Sequence, residues 1–430
     1  MTSLLKNKNL SYISPVWPQF TGLEIEYGKG IYLYDIDGKK YLDFTSGIGV
    51  TNTGHCHDRV VRTIQNQAER LIHGQSTVIY NQPMLKLASK INEITPPQLN
   101  CSFFTNSGSE AVESAIKLAR HATNKTNIIC FQGGYHGRSI GAMSVTTAKS
   151  IYRNKYQPLM AGVSVSPFPY SYRYQQEEDS LEDWCIKELE YLLKTQSSPD
   201  ETAAMILEPV LGEGGYVVPP KKFLQRIRDI CDHYGILLIF DEVQSGFGRT
   251  GEFFAFEHFD VQPDILVVAK GLASGLPLSG IVSSRELMEE WIPGSHGGTY
   301  GPNPVAASAA IETIKIIEEE KLVENSASLG RVLLKSLYKL KNEYPFIGEV
   351  RGLGLMVGCE FSSHHPSSSK IAEEVRKKCL EQGLILLTCG SDNQVIRWIP
   401  PLTLDENSLE RALKIFENAL IKVEEIIHEL

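Results

Sequence analysis

Short apolar runs alternate with longer helical patterns through the first three-quarters of the chain. SFF at 102, NIICF at 127, AAMIL at 203, ILLIF at 236 and ILVVA at 265 lack the polar alternation of a strand with one wet face. Such runs predict strands buried on both faces, as in a parallel sheet covered by helices. Between them lie periodic stretches such as EAVESAIKLARHA from Glu110, where Ala111, Ala115, Leu118 and Ala119 share one helical face. The pattern predicts an α/β fold with a mostly parallel central sheet.

After about residue 305 the texture changes. AASAAIETIKIIEEEKL from Ala306 predicts a long helix linking two units, followed by a strand-like LGLMVGCEF and two more helical stretches. The expected organisation is an N-terminal segment (1–57) joining a small domain, a large α/β domain (58–304) and a C-terminal small domain (305–430). The polar run SSHHPSSSK at 362–370 reads as a surface loop.

Composition narrows the function. A chain of 430 residues has room for about two or three folding units and a deep cleft. Its 42% hydrophobic and 22% charged residues exclude disordered and fibrous classes. A net charge of −9 argues against a nucleic-acid partner, while leaving room for a local seat for one small anion. The eight cysteines are scattered without a C-x-x-C pair, which predicts reduced core thiols and a cytoplasmic location. No run approaches the roughly 18 apolar residues of a membrane helix, so no membrane is expected. His55 and His57 flank Cys56, but on an extended segment they point in mixed directions, so no metal is expected.

Each candidate strand ends in an unusual polar group, and in open α/β sheets that carboxyl edge is where ligands bind. After SFF, the small-residue turn TNSGSEA opens a helix, and the amides of Ser107, Gly108 and Ser109 would seat a phosphate; the plainer reading is an ordinary helix cap. After NIICF, the loop QGGYHGR offers Tyr135 to stack on a flat ring, the imidazole of His136 and the guanidinium of Arg138. AAMIL ends at Glu208, and ILLIF at Asp241, which five preceding apolar residues should partly bury. ILVVA ends at Lys270, whose amine, if buried, would lose basicity and gain nucleophilicity. A phosphate seat, a stacking aromatic, a buried Asp and a nucleophilic Lys together suit a flat phosphorylated aldehyde, pyridoxal 5′-phosphate.

These motifs resemble a known family. SGSEA at 107, YHGR at 135, EPVLGEGG at 208, FDEVQSGFGRTG at 240, AKGL at 269, GGTYGPNP at 297 and VIRWIPPLT at 395 are similar to class III aminotransferases of the fold type I pyridoxal phosphate enzymes. The resemblance implies that Lys270 holds the cofactor as a Schiff base and then shuttles protons. It implies that Asp241 pairs with the pyridine nitrogen, that Val243 and Tyr135 sandwich the ring, and that Gln244 bonds its phenolic oxygen. Gly108 and Ser109 would bind the phosphate, and Thr299 would reach the phosphate of a neighbouring subunit. A homodimer with shared active sites follows from that last match, and dimers of dimers occur in the family.

The same resemblance implies an amine donor and a keto-acid acceptor, most often 2-oxoglutarate. Arg138 matches an arginine that holds the donor's distant carboxylate, and Arg397 one that holds the α-carboxylate of glutamate. Glu208 matches the acid that masks Arg397 when the substrate has no α-carboxylate. Ile48 stands where ornithine-specific relatives tend to place a tyrosine, which favours a donor such as 4-aminobutyrate. Leu211 and Pro302 depart from the commoner glutamine and glycine. Acetylornithine and ornithine aminotransferases, and racemases, epimerases or aminomutases of the family, are the alternatives. Arg351 is expected to be structural or at the edge of the site.

Overall fold

The computed structural model describes residues 8–362 and 367–427; the N-terminal heptapeptide and the middle of the polar 362–370 run lie outside the described residues. Its centre is a seven-stranded sheet in the order Cys101–Thr105, Ser279–Ser283, Ile265–Val268, Leu237–Asp241, Thr202–Leu207, Asn127–Phe131 and Val163–Ser166. Ser279–Ser283 runs antiparallel to both of its neighbours. The pairs from Ile265–Val268 to Val163–Ser166 are parallel.

The five strands read from apolar runs are all present, and their side chains divide by parity. Ile128, Cys130, Ala204, Ile206, Ile239, Ile265 and Val267 pack on one face with Ala111, Ala115, Leu118 and Ala119 of the Gly108–Thr123 helix. Ile129, Phe131, Met205, Leu207, Leu238, Phe240, Leu266 and Val268 pack on the other, beneath Leu189 and Ile227 of the helices Glu178–Thr195 and Lys221–Tyr234. Burying each such side chain contributes about 1.5–3 kcal/mol, which is why strands without polar alternation belong in the middle of a covered sheet.

Two strands escape the pattern. Val163–Ser166 is an edge strand reading VSVS, with real polar alternation. Ser279–Ser283 begins inside GLASGLPLSG, which reads as a turn but becomes strand at Ser279. Gly280 is the reason: a Cβ there would lie 2.6 Å from the Phe103 carbonyl oxygen, so only glycine lets the two backbones approach.

The remaining strands form two small sheets. An antiparallel sheet runs Ile347–Leu353, Met356–Phe361, Val395–Trp398, Leu387–Cys389. The N-terminal strands Ile25–Lys29, Tyr32–Asp35 and Lys40–Asp43 form a meander that Leu384–Ile385 joins in parallel. The single helix expected after Ala306 is two, Pro304–Glu319 and Leu322–Glu343, separated where Lys321 turns left-handed at φ +54°. All eight cysteines are free thiols. Among the described residues no helix is long and apolar enough to cross a membrane.

Candidate active site

The carboxyl ends of the parallel strands open into a cleft of about 320 Å³, lined among others by Ser107, Gly108, Ser109, Tyr135, His136, Glu208, Glu213, Asp241, Val243, Gln244 and Lys270. Ten of the residues singled out in the sequence, from four different strand ends and the helix start at Gly108, thus meet in one place. Val50 also reaches the cleft, two residues beyond Ile48, the position of that turn singled out in the sequence.

Asp241 ends its strand almost wholly buried, 4% exposed. One of its oxygens lies 2.7 Å from Nδ1 of His136, and the other accepts the Val243 N–H at 3.0 Å. Lys270 follows the Ile265–Val268 strand with φ +42°, a conformation that bends the chain and aims the side chain at the cleft instead of along the sheet. Burial pulls its amine down from 10.5 to about 8, against the opposing pull of Glu208 and Asp241. An amine of that basicity is a nucleophile near neutral pH.

The helix opening at Gly108 supplies the anion seat. Ser107 caps it by accepting the Glu110 N–H, and Glu110 reaches back to the Asn106 N–H, so the plain cap and the seat coexist. A Cβ on Gly108 would lie 3.1 Å from Val243, and one on Gly137 would lie 2.1 Å from the Ser109 hydroxyl oxygen. Gly137 is therefore required by close approach at this helix end, while Gly108 packs tightly against the Val243 side chain.

Glu208 is buried beneath the Tyr135 loop, where it accepts the N–H groups of Tyr135 and Gly212, each at 2.9 Å. Burial raises its carboxyl to about 7; His136 opposes this and Asp241 reinforces it. Glu208 does not cover Arg397, contrary to the expectation from sequence. The partner is Glu213, whose Oε2 accepts Nη1 of Arg397 at 2.9 Å. The reason is the loop that follows the strand: Glu208 is still tied to its own backbone neighbourhood, whereas Glu213 stands five residues on, between glycines, where the chain has turned toward the Val395–Trp398 strand. Both acids occur in EPVLGEGG, so the motif contained the right residue, but spacing alone did not rank the two.

Arg138 is exposed, with its guanidinium 5.9 Å from the Tyr135 ring centre and 5.4 Å from that of Tyr152. Its backbone N–H donates to the Ser109 hydroxyl at 3.1 Å. Ile48 lies in a left-handed turn with Ser46 and Gly47, at φ +68°, 40% exposed. A β-branched residue in that region is strained, and such strain clusters at functional sites. Thr299 is exposed in the 291–303 loop and does not line this chain's own cleft. Arg351 donates from Nε and Nη2 to the Gly215 carbonyl at 3.0 and 2.6 Å, so it braces the loop that carries Glu213. Tyr152 and Lys149, which no sequence signal singled out, both bind Glu213. His55 and His57 point apart, to Asp43 and to Glu320.

The model of the family described as Aminotransferase class-III matches residues 13–420. A probable 4-aminobutyrate aminotransferase of Bacillus subtilis (strain 168) is 38% identical over 400 residues, covering 91% of this chain and 92% of that one. Acetylornithine aminotransferase of Methanocaldococcus jannaschii is 40% identical over 406 residues, covering 92% and 93%. Among solved structures, an amine transaminase from an uncultivated Pseudomonas species, in its PLP-bound form, superposes with a TM-score of 0.89 at 31% identity, over 95% of this chain and 98% of that one.

Proposed function

The chain belongs to the class III aminotransferases, and from that premise we propose that it moves the amino group of an ω-amino acid, 4-aminobutyrate or a close homologue, to 2-oxoglutarate in two half-reactions. Class III aminotransferases depend on pyridoxal 5′-phosphate and work on an amine donor and a keto acid. The residues of the cleft fit that cofactor. A nucleophilic amine, a buried carboxylate and a helix N-terminus converge on it, and two buried polar atoms there, Nε2 of His136 and Oε1 of Gln244, lack partners among the described residues.

In this reading Lys270 would bind the aldehyde, Asp241, held by His136, would pair with the pyridine nitrogen, and Tyr135 and Val243 would flank the ring. Gln244 would bond the phenolic oxygen, and the amides of Ser107, Gly108 and Ser109 would hold the phosphate, completed by Thr299 from a second copy of the chain in a homodimer. Pyridoxal phosphate supplies the electron sink that lets a proton leave the carbon bearing the amine. The protein supplies the rest. Nζ of Lys270 takes that proton and returns one, and the Asp241 carboxylate stabilises charge that develops only after the proton has left. Arg138 holds the donor's far carboxylate, with the Tyr135 and Tyr152 rings as its floor, and Ile48 borders the donor's path.

One observation carries the substrate class: Arg397, buried beside the cleft, is already neutralised by Glu213. A donor without an α-carboxylate leaves that pair intact, whereas glutamate displaces Glu213 and takes Arg397 for itself. The test is product formation. Purified protein loaded with pyridoxal phosphate, given 4-aminobutyrate and 2-oxoglutarate, should release glutamate. Glutamate from acetylornithine but none from 4-aminobutyrate would overturn the donor class.

A further inference from the structure

Arg397 is only one of three partners of Glu213. Oε2 accepts Nη1 of Arg397 at 2.9 Å, while Oε1 accepts Nζ of Lys149 at 2.6 Å and the Tyr152 hydroxyl at 2.9 Å. Lys149 also donates to Oδ1 of Asn393 at 2.7 Å. All three charged side chains are largely buried: 11% exposed for Lys149, 13% for Glu213 and 6% for Arg397. Two cations on one carboxylate leave the cluster one positive charge in surplus. That surplus suits a site which must sometimes accept a second anion.

The backbone around Glu213 is fixed. Its carbonyl accepts the Gly390 N–H at 2.9 Å, and Arg351 braces Gly215 two residues on. Only the side chain is free to respond when Arg397 turns to a substrate. Glu213 would then need a cation of its own, because a buried carboxylate left facing another carboxylate is strongly disfavoured. Tyr152 offers only a neutral hydroxyl, and Arg138, whose guanidinium stands 5.4 Å from the centre of the Tyr152 ring, makes no ion pair with Glu213 among the described residues. Lys149 is the cation already in place. Burial raises the Glu213 carboxyl, but Arg397 and then Lys149 outweigh it and hold the group below its ordinary value.

On the reading that Arg397 takes the α-carboxylate of the acceptor, we propose that Lys149 is a positioning residue: it retains Glu213 when Arg397 is released, and so sets the affinity for dicarboxylic substrates without setting that for the donor. With Lys149 the released state contains two matched pairs, Lys149 with Glu213 and Arg397 with the substrate. Without Lys149 it contains an unmatched buried carboxylate. The resting state loses less, since Arg397 and Glu213 still neutralise each other.

The test uses the holoenzyme, its Lys149→Met and Lys149→Arg variants, and two unreactive ligands read by thermal shift and by the cofactor's absorbance. Glutarate carries both carboxylates; butyrate carries one. Wild type should bind glutarate more tightly than butyrate. Lys149→Met should weaken glutarate by at least about tenfold and butyrate by less than about threefold, as expected when one partner of a buried charge pair is removed. Lys149→Arg should restore most of the difference. With glutamate as donor, Lys149→Met should raise KM while leaving kcat little changed. An unchanged glutarate-to-butyrate ratio, or an equal loss of both ligands, would overturn the role of Lys149 while leaving that of Arg397 standing. A wild type that fails to prefer glutarate would overturn the reading of Arg397 itself.

Discussion

His136 and Asp241 form one buried unit, with the imidazole Nδ1 2.7 Å from the carboxylate. With its second oxygen on the Val243 N–H, Asp241 cannot rotate away from the cleft. Asp241→Asn keeps this shape and removes the charge. The variant should still bind pyridoxal phosphate, but its half-reaction should slow by about 10²–10³-fold or more, the usual loss when one preorganised electrostatic stabiliser is removed. Stopped-flow absorbance of the bound cofactor after mixing with 4-aminobutyrate measures it.

The amine of Lys270 gives a pH dependence whose direction is fixed. Burial lowers its pKa from 10.5 to about 8, so the folded apoprotein disfavours the protonated form. Capture of pyridoxal phosphate by apoprotein should therefore speed up as pH rises through about 8 and level off above. Between about 8 and 10.5 the unfolded chain binds more protons at this position than the folded one, so Lys270 makes apoprotein stability rise with pH across that window and adds no slope below it. Lys270→Met should abolish capture and remove that contribution, as urea unfolding at pH 8 and pH 9.5 would show.

Neutralising Glu213 should shift preference between substrates. In Glu213→Gln, Arg397 loses its covering charge and stands open to any carboxylate. The ratio of kcat/KM for glutamate over 4-aminobutyrate should rise by at least about tenfold, the order expected for a lost charged contact. Glu208→Gln, in contrast, should leave that ratio close to the wild-type value, because among the described residues Glu208 hydrogen-bonds the backbone N–H groups of Tyr135 and Gly212 and not Arg397.

Gly137 joins the Arg138 loop to the helix end that carries Ser109. Its φ of +133° is open to glycine alone, and a Cβ would come within 3.0 Å of the Ser109 Cα. Gly137→Ala should push the two segments apart, weaken pyridoxal phosphate binding by about tenfold or more, and destabilise the protein by about 1–3 kcal/mol. Cofactor titration of the apoprotein and urea midpoints check the two effects separately.

The sheet was legible where its chemistry was one-sided. Strands such as Leu237–Asp241 bury both faces and so consist of apolar residues, a pattern no solvent-exposed segment imitates. The polar group at the end of each such strand marked the cleft for the same reason. Ser279–Ser283 was illegible because its small residues serve a close backbone approach, which leaves no hydrophobic trace. The partnership of Glu213 with Arg397 depends on how the GEGG loop folds back across the Val395–Trp398 strand, a long-range relation that motif spacing does not encode. Lys149 and Tyr152 were invisible for a similar reason: each is an ordinary loop residue until Glu213 is brought to it.

The account turns most directly on which amine the bound cofactor accepts. A single-turnover panel, following loss of the absorbance of the Lys270-bound cofactor with no keto acid present, should include 4-aminobutyrate, 5-aminovalerate, acetylornithine, ornithine and alanine. The account predicts that 4-aminobutyrate or 5-aminovalerate reacts at least about tenfold faster than alanine, the margin expected when a donor leaves the Glu213–Arg397 pair intact, and faster than acetylornithine. Faster reaction with acetylornithine, or racemisation of alanine without any keto acid, would contradict it.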